Sequence, residues 1–195
     1  MKRALLMLIL NLPVMPAMCD WAVDPEGSYV GFATVKNDLI AENHSFTQVT
    51  GSVSDAGVAI INVALASVET LIPIRNERMQ SMLFDVAQHP IATVTSQINT
   101  KEFTSLTVGE SKTMTLDMQV DLHATVLKKA VLVKVTRSSQ TTFEVSSLGP
   151  IVIHASQFAL SDGVESLRKI AGLQSVDLMV PVTFDLRLVR SSPSP

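Results

Sequence analysis

Four histidines, His44, His89, His123 and His154, are the only imidazoles in the chain, and none stands in a spacing that builds a metal site. Neither H-x-H nor H-E-x-x-H occurs, so the rings read as satisfied or solvent-facing groups. Asp117 and Asp121 fall on one face of an alternating segment, where two carboxylates could divide acid and base duties; alternating Asp, Thr and Gln is also the ordinary content of a wet strand face. No G-x-S-x-G elbow, P-loop or dinucleotide fingerprint is present, and every glycine is isolated. No catalytic residue, metal or cofactor is therefore expected, and the chain reads as a non-enzyme. What remains is recognition. Arg75 and Arg78 flank Glu77, and a guanidinium presents a planar fork that donates two parallel hydrogen bonds to a carboxylate or phosphate. Set beside an apolar stripe, the pair could orient a polar headgroup at the mouth of a cavity; the alternative is a solvated helix face with a Glu–Arg contact.

The element that must position those arginines lies in residues 74–100, where the hydrophobic period changes within a few residues. Met79, Met82, Leu83 and Val86 fall at i, i+3, i+4 and i+7, which predicts one amphipathic helix of about two to three turns. Pro90 then restricts His89 to extended geometry, and the β-branched alternation that follows predicts a strand over 91–99. A lone helix with a Met-rich face has only a sheet or barrel to cover. Met79 and Met82 either fill core or, because thioethers adapt to irregular apolar partners, border a cavity.

Strands account for most of the rest. In residues 28–36, Tyr29, Gly31, Ala33 and Val35 alternate with Val30, Phe32 and Thr34, and a glycine inside a strand signals a bend or a close approach by another group. Residues 36–44 read as a polar section, 45–54 as a strand or two short ones around Gly51, and 58–69 as one long strand. Residues 101–112 read as a connection or a short edge strand. Met114, Leu116, Met118, Val120 and Leu122 then face Thr115, Asp117, Gln119 and Asp121, one side buried and one wet as in an antiparallel sheet. Strands follow over 128–137, 141–147 and 150–156. A second helix is predicted within 158–174, with Asp162 as its N-cap and Gly172 as its end. The last strand places Val176, Leu178, Val180, Val182, Phe184, Leu186 and Leu188 at every second position, with Pro181 on the polar side. The expected class is all-β: about eight or nine antiparallel strands and two short helices, in a sandwich or a closed barrel. Closure would remove exposed edges, which favours the barrel.

The amino terminus has the layout of a secretory signal: Lys2 and Arg3, an apolar run, and small residues at Ala17 and Cys19. Cleavage after Cys19 is expected, giving a signal peptide at 1–19, a single domain at 20–190 and a disordered tail at 191–195. Lipid attachment at Cys19 is the rival reading. Cleavage leaves 176 of 195 residues, no cysteine, and 13 basic against 18 acidic residues, a net charge of about −5. Without cysteine there is no disulfide or thiol chemistry, and the negative charge does not suit nucleic acid.

The order and spacing of several short motifs resemble the YceI-like family. They are Trp21-x-x-Asp24-Pro25-x-x-Ser28-x-Val30-x-Phe32, Ser67-x-x-Thr70, Arg75-Asn-x-Arg78-Met79 with Leu83-Phe84-Asp85, Pro90 before a Thr-rich strand, Phe158-Ala-Leu, and the closing VPVTFDLRL. Phe158-Ala159-Leu160 stands where many members carry an acidic residue beside the phenylalanine. The resemblance implies an exported, periplasmic, lipocalin-like antiparallel barrel of about eight strands with a long apolar cavity. Its ligand class would be a polyisoprenoid or other long-chain amphiphilic lipid, of quinone or fatty-amide type, carried or sequestered rather than turned over. Enzymatic action on such a lipid and a ligand-free structural or stress-response role stay as alternatives, and transient membrane contact and a homodimer stay open. On this reading Phe32, Met79, Met82, Leu83, Met114, Leu116, Met118 and Phe184 are expected to line the cavity, with Arg75 and Arg78 at the headgroup.

Overall fold

The strand segments join into a closed antiparallel barrel of eight staves, four of them broken in the middle. The computed structural model describes residues 21–190; the signal expected at 1–19 and the tail expected at 191–195 lie outside the described residues. The first stave is β1 (Trp21–Val23) with β2 (Tyr29–Lys36), the second β3 (Ile40–Phe46) with β4 (Val49–Val53), and the third β5 (Val58–Ala64) with β6 (Val68–Glu69). The unbroken staves β7 (Ile91–Gln97), β8 (Ser111–Leu122) and β9 (Thr125–Ser139) follow. The seventh is β10 (Thr142–Ser147) with β11 (Ile151–His154), and the eighth is β12 (Met179–Arg190). Successive staves pair antiparallel. β12 meets β10 and β11 on one edge and β1 and β2 on the other, with Leu188 opposite Val23 and Val182 opposite Phe32, and so closes the ring.

The breaks have local causes. The run 58–69, expected as one strand, is interrupted by a tight turn at Leu65–Ser67, where the Ser67 hydroxyl donates to the Ala64 carbonyl (2.7 Å) and accepts from the Gln48 amide (3.0 Å). The section 36–44, expected as a polar connection, is the β2–β3 hairpin and most of β3. Its turn residues Asn37 and Asp38 sit at φ 51° and 57°, a left-handed region that short polar side chains tolerate better than others. The β8–β9 turn adopts the same geometry at His123 and Ala124, φ 52° and 57°. Gly31 marks a close approach, as its place in a strand suggested: the Tyr29 ring lies where a β-carbon would project.

Three α-helices complete the described residues. α1 (Pro73–Arg78) opens with a proline in its first turn, where a missing N–H costs nothing. It runs on into a wider, π-type turn over Met79–Leu83, in which the Phe84 amide donates to the Met79 carbonyl at 2.9 Å. α2 (Lys101–Thr104) occupies the segment expected as a connection or edge strand. α3 (Ser161–Ile170) starts one residue before Asp162, so Asp162 lies in the first turn rather than at the cap, and the chain turns away at Gly172, φ 64°. At Gly163 α3 crosses the π-type turn so closely that a β-carbon would come within 2.9 Å of the Met82 carbonyl oxygen and the Leu83 α-carbon.

Two packed layers result. The lower one holds Trp21, Phe103 and Phe143 with Val133, Leu186 and Leu188, and Phe103 and Leu106 from α2 and its exit plug that end of the barrel. The upper one packs Leu65, Val68, Met79, Phe84, Phe158 and Leu160 beneath the helices.

Candidate functional site: a cavity with one polar panel

Between the two layers the barrel encloses a cavity of about 630 Å³, within the range that holds lipid-sized and drug-sized ligands. Its wall is built by strand parity. Ile61 and Val63 of β5, Ala92 and Val94 of β7, Val120 and Leu122 of β8, and Val180, Val182 and Phe184 of β12 all turn inward. Leu83 and Met79 enter from the π-type turn and Val164 and Leu167 from α3.

Of the residues expected to line it, Phe32, Met79, Leu83, Met118 and Phe184 stand on the wall, as do Arg75 and Arg78. Three do not. Met114 and Leu116 have the right parity but lie on the first half of β8, beside the lower layer, and pack into it. Val120 and Leu122, farther along the same face, take their place. Met82 is 38% exposed, because the π-type turn adds a residue to the helical repeat and rotates the stripe, so that Phe84 is buried instead.

Next to β12 in the same wall, the β2–β3 hairpin carries a polar panel. Its inward pairs are Val30 with Phe46, Phe32 with His44 and Thr34 with Glu42, followed by Lys36, so the face grades from aromatic to charged along the hairpin. Lys36 Nζ reaches Glu42 Oε1 at 2.8 Å, and Arg75 Nη1 donates to Glu42 Oε2 at 2.7 Å while Nη2 donates to the Thr70 carbonyl at 2.6 Å. Asn76 holds the approach to α1 by accepting from the Thr70 amide (2.9 Å) and hydroxyl (2.6 Å). The Lys36 ammonium, and after it Arg75, keeps the Glu42 carboxyl below its ordinary range against the opposing effect of burial.

His44 is 5% exposed. Its Nε2 is 2.9 Å from Thr34 Oγ1, and its ring packs 5.1 Å from that of Phe32. Burial first, then the Arg75 charge, pushes its pKa below the ordinary imidazole value, so the folded protein holds it neutral while the unfolded chain still takes up a proton. Folding stability carried by the neutral ring is present above about pH 6.5 and is lost as pH falls toward the lower folded value. The expected loss approaches about 1.4 kcal/mol per pH unit below that point. Thermal melts of the wild type and His44→Gln between pH 7 and 5 check it: the variant should show a flatter profile.

Sequence reasoning passed over this panel because Asn37, Asp38, Glu42 and Asn43 made the section look like a loop. The signal was present in the period of two that runs back from Phe46 through His44 to Glu42. The remaining histidines lie off the wall: the His89 and His123 rings pack tilted with centroids 4.3 Å apart, and His154 Nδ1 sits 2.7 Å from Ser156 Oγ at the start of a turn. Asp117 and Asp121 are exposed. Among the described residues no three His, Cys, Asp or Glu side chains are grouped to hold a metal ion, and no helix is long and apolar enough to cross a membrane.

A family model described as YceI-like domain matches residues 21–188. Among solved structures, a polyisoprenoid binding domain from Saccharophagus degradans, implicated in plant cell wall breakdown, is 32% identical. The match covers 89% of this chain and 99% of that one, with a TM-score of 0.87. BcnA of Burkholderia cenocepacia is 17% identical over 85% of this chain and 98% of its own, with a TM-score of 0.64, a likeness of fold. No curated protein sequence matches the chain.

Proposed function

The chain belongs to the YceI-like family, and from that premise we propose that it is an exported, periplasmic carrier or sequestering protein for an isoprenoid or similar long amphiphilic lipid. The tail occupies the barrel cavity and the polar end lies at the panel of Lys36, Glu42 and Arg75, with Arg78 at the same mouth. The observation that carries this reading is an interior of about 630 Å³ left open between two packed layers and walled mainly by aliphatic and aromatic side chains, with polar groups on the panel and at the mouth. The relative from Saccharophagus degradans supports it, being named a polyisoprenoid binding domain. A signal peptide over 1–19 provides the route of export.

The energetics suit a long tail. Each buried methylene contributes roughly 0.8 kcal/mol gross, and ordering a flexible chain returns a large part of it. Affinity should therefore rise with tail length until the cavity is filled. Ile72, Ile74 and Ile170 ring the opening while 43–50% exposed, which suits transient contact with a membrane during loading. No step of chemistry is assigned to the cavity.

Native mass spectrometry of protein purified from the periplasm tests the proposal. An apolar adduct in the mass range of a prenyl lipid is expected. An empty protein that also refuses added prenyl lipids overturns it.

A further inference from the structure

The wall of the barrel is unzipped along part of one joint. β9 pairs with β8 over most of its length, from Thr125 opposite Leu122 to Thr136 opposite Ser111. On its other side it pairs with β10 only from Val133 onward, and that ladder ends where the Leu148 amide donates to the Leu132 carbonyl (3.0 Å). The chain bends at Leu148 and Gly149, and Pro150 brings no N–H to carry the ladder on. β11 then resumes beside β12 alone. Residues 125–131 of β9 thus face β11 across a seam without strand pairing. Among the described residues one hydrogen bond spans it: Lys129 Nζ donates to the Val152 carbonyl at 2.7 Å.

The seam leads inside. By strand parity Lys129 shares the inward face of β9 with Leu127 and Val131, and it stands opposite Met118 of the cavity wall. Lys129 is nevertheless exposed, while Val131 two residues on is buried; an inward position that meets solvent marks a gap in the wall. A hollow of about 370 Å³ lies along the same seam and shares Lys129, Val131 and Ile151 with the cavity. Its lips carry exposed Leu132, Leu148 and Val152. The helix-covered end is held more firmly. Arg75 ties α1 to Glu42 of β3, and α3 crosses the π-type turn at Gly163 with no room for a β-carbon.

Resting on the lipid-carrier reading, we infer that the seam between β9 and β11 is a lateral portal for the lipid tail and that Lys129 is its latch. The seam and the polar panel flank β12 on opposite sides. The polar end can therefore stay at the panel while the tail swings in through the wall, instead of being threaded lengthwise beneath the helices. Parting the lips breaks the Lys129 hydrogen bond and no strand ladder.

Retinol, an isoprenoid alcohol whose fluorescence rises in apolar surroundings, is the probe for stopped-flow uptake and release. Ala130→Cys and Val152→Cys, at exposed positions on the two lips, are combined with Cys19→Ser, which removes the chain's one cysteine. A bismaleimide with a disulfide in its spacer then joins them. Joining the lips should slow uptake and release alike by about tenfold or more while the equilibrium affinity stays the same, since a closed route alters rates and not end states. Reducing the spacer should restore both rates. Lys129→Met alone keeps the stem and loses the donor; it should release retinol about fivefold faster, with affinity changed by less than about twofold. That measurement decides the matter even where the cross-link does not form. The inference is overturned by uptake that keeps its rate when the lips are joined, by a joined protein that loses affinity rather than rate, or by Lys129→Met releasing retinol no faster than the wild type. Each of these leaves the carrier reading standing, because the wild type still binds retinol, whereas refusal of retinol by the wild type removes both.

Discussion

Val94→Trp is expected to lower affinity for a prenyl lipid by about a hundredfold while leaving the barrel folded. Val94 lies opposite Ile61 of β5 and Val120 of β8, and all three face the cavity at mid-height. An indole there has open space to enter rather than packed neighbours to displace, so the overpacking penalty of a filled core is largely avoided. The ring takes up room for roughly one five-carbon unit of tail. At about 0.8 kcal/mol per buried methylene that is roughly 4 kcal/mol of gross binding. The excluded unit also keeps its conformational freedom, which returns part of this and leaves about 3 kcal/mol, or two powers of ten. Calorimetric titration with a series of tail lengths checks it. The variant should plateau one isoprene unit earlier than the wild type, and equal plateaus would show that the tail does not lie in the barrel.

The second large effect belongs to stability. Phe143 is 1% exposed and stands at the centre of an edge-to-face cluster, 4.8 Å from the Trp21 ring and 5.2 Å from that of Phe103, with the Arg137 guanidinium 5.5 Å from its centroid. Phe143→Ala removes the ring that joins the first stave, the seventh stave and α2. A loss of about 3–5 kcal/mol is expected, a large share of the roughly 5–15 kcal/mol that holds a domain together. For a domain of this size the melting temperature should fall by about 10 °C or more. Phe143 lies off the cavity wall, so below the lowered melting point lipid affinity should be retained. Calorimetric melting followed by titration separates the two quantities. The pair of variants thus separates the layer that holds the molecule shut from the open space above it.

Much of this was legible in residue types. The alternation of Phe184, Leu186 and Leu188 specified the face of β12, and the change of period at Pro90 placed a helix against a strand. What was not legible depended on features that alternate by no simple rule. A single residue added to the helical repeat at Met79–Leu83 moves Met82 outward and Phe84 inward, and periodicity alone assumes a constant repeat. Parity chose the inward face of β8, but a strand 12 residues long passes both packed core and open cavity, so Met114 and Leu116 share a face with Met118 and not its role. The polar panel was hidden by composition. This part of the cavity wall carries Thr34, Lys36, Glu42 and His44, and the same residue types elsewhere mean solvent.

The last stave also governs when the molecule can come into being. Because β12 pairs with the first two strands as well as with β10 and β11, the ring stays an open ribbon until residues near both ends of the chain meet. Hairpins such as β8–β9 can zip early, since their partners adjoin in sequence. Joining β1 to β12, from Trp21 opposite Arg190 to Val23 opposite Leu188, must wait until β12 has been made and bears the entropy of closing a very long loop. Assembly is therefore an all-at-the-end event, and the interior comes into existence only with that final join.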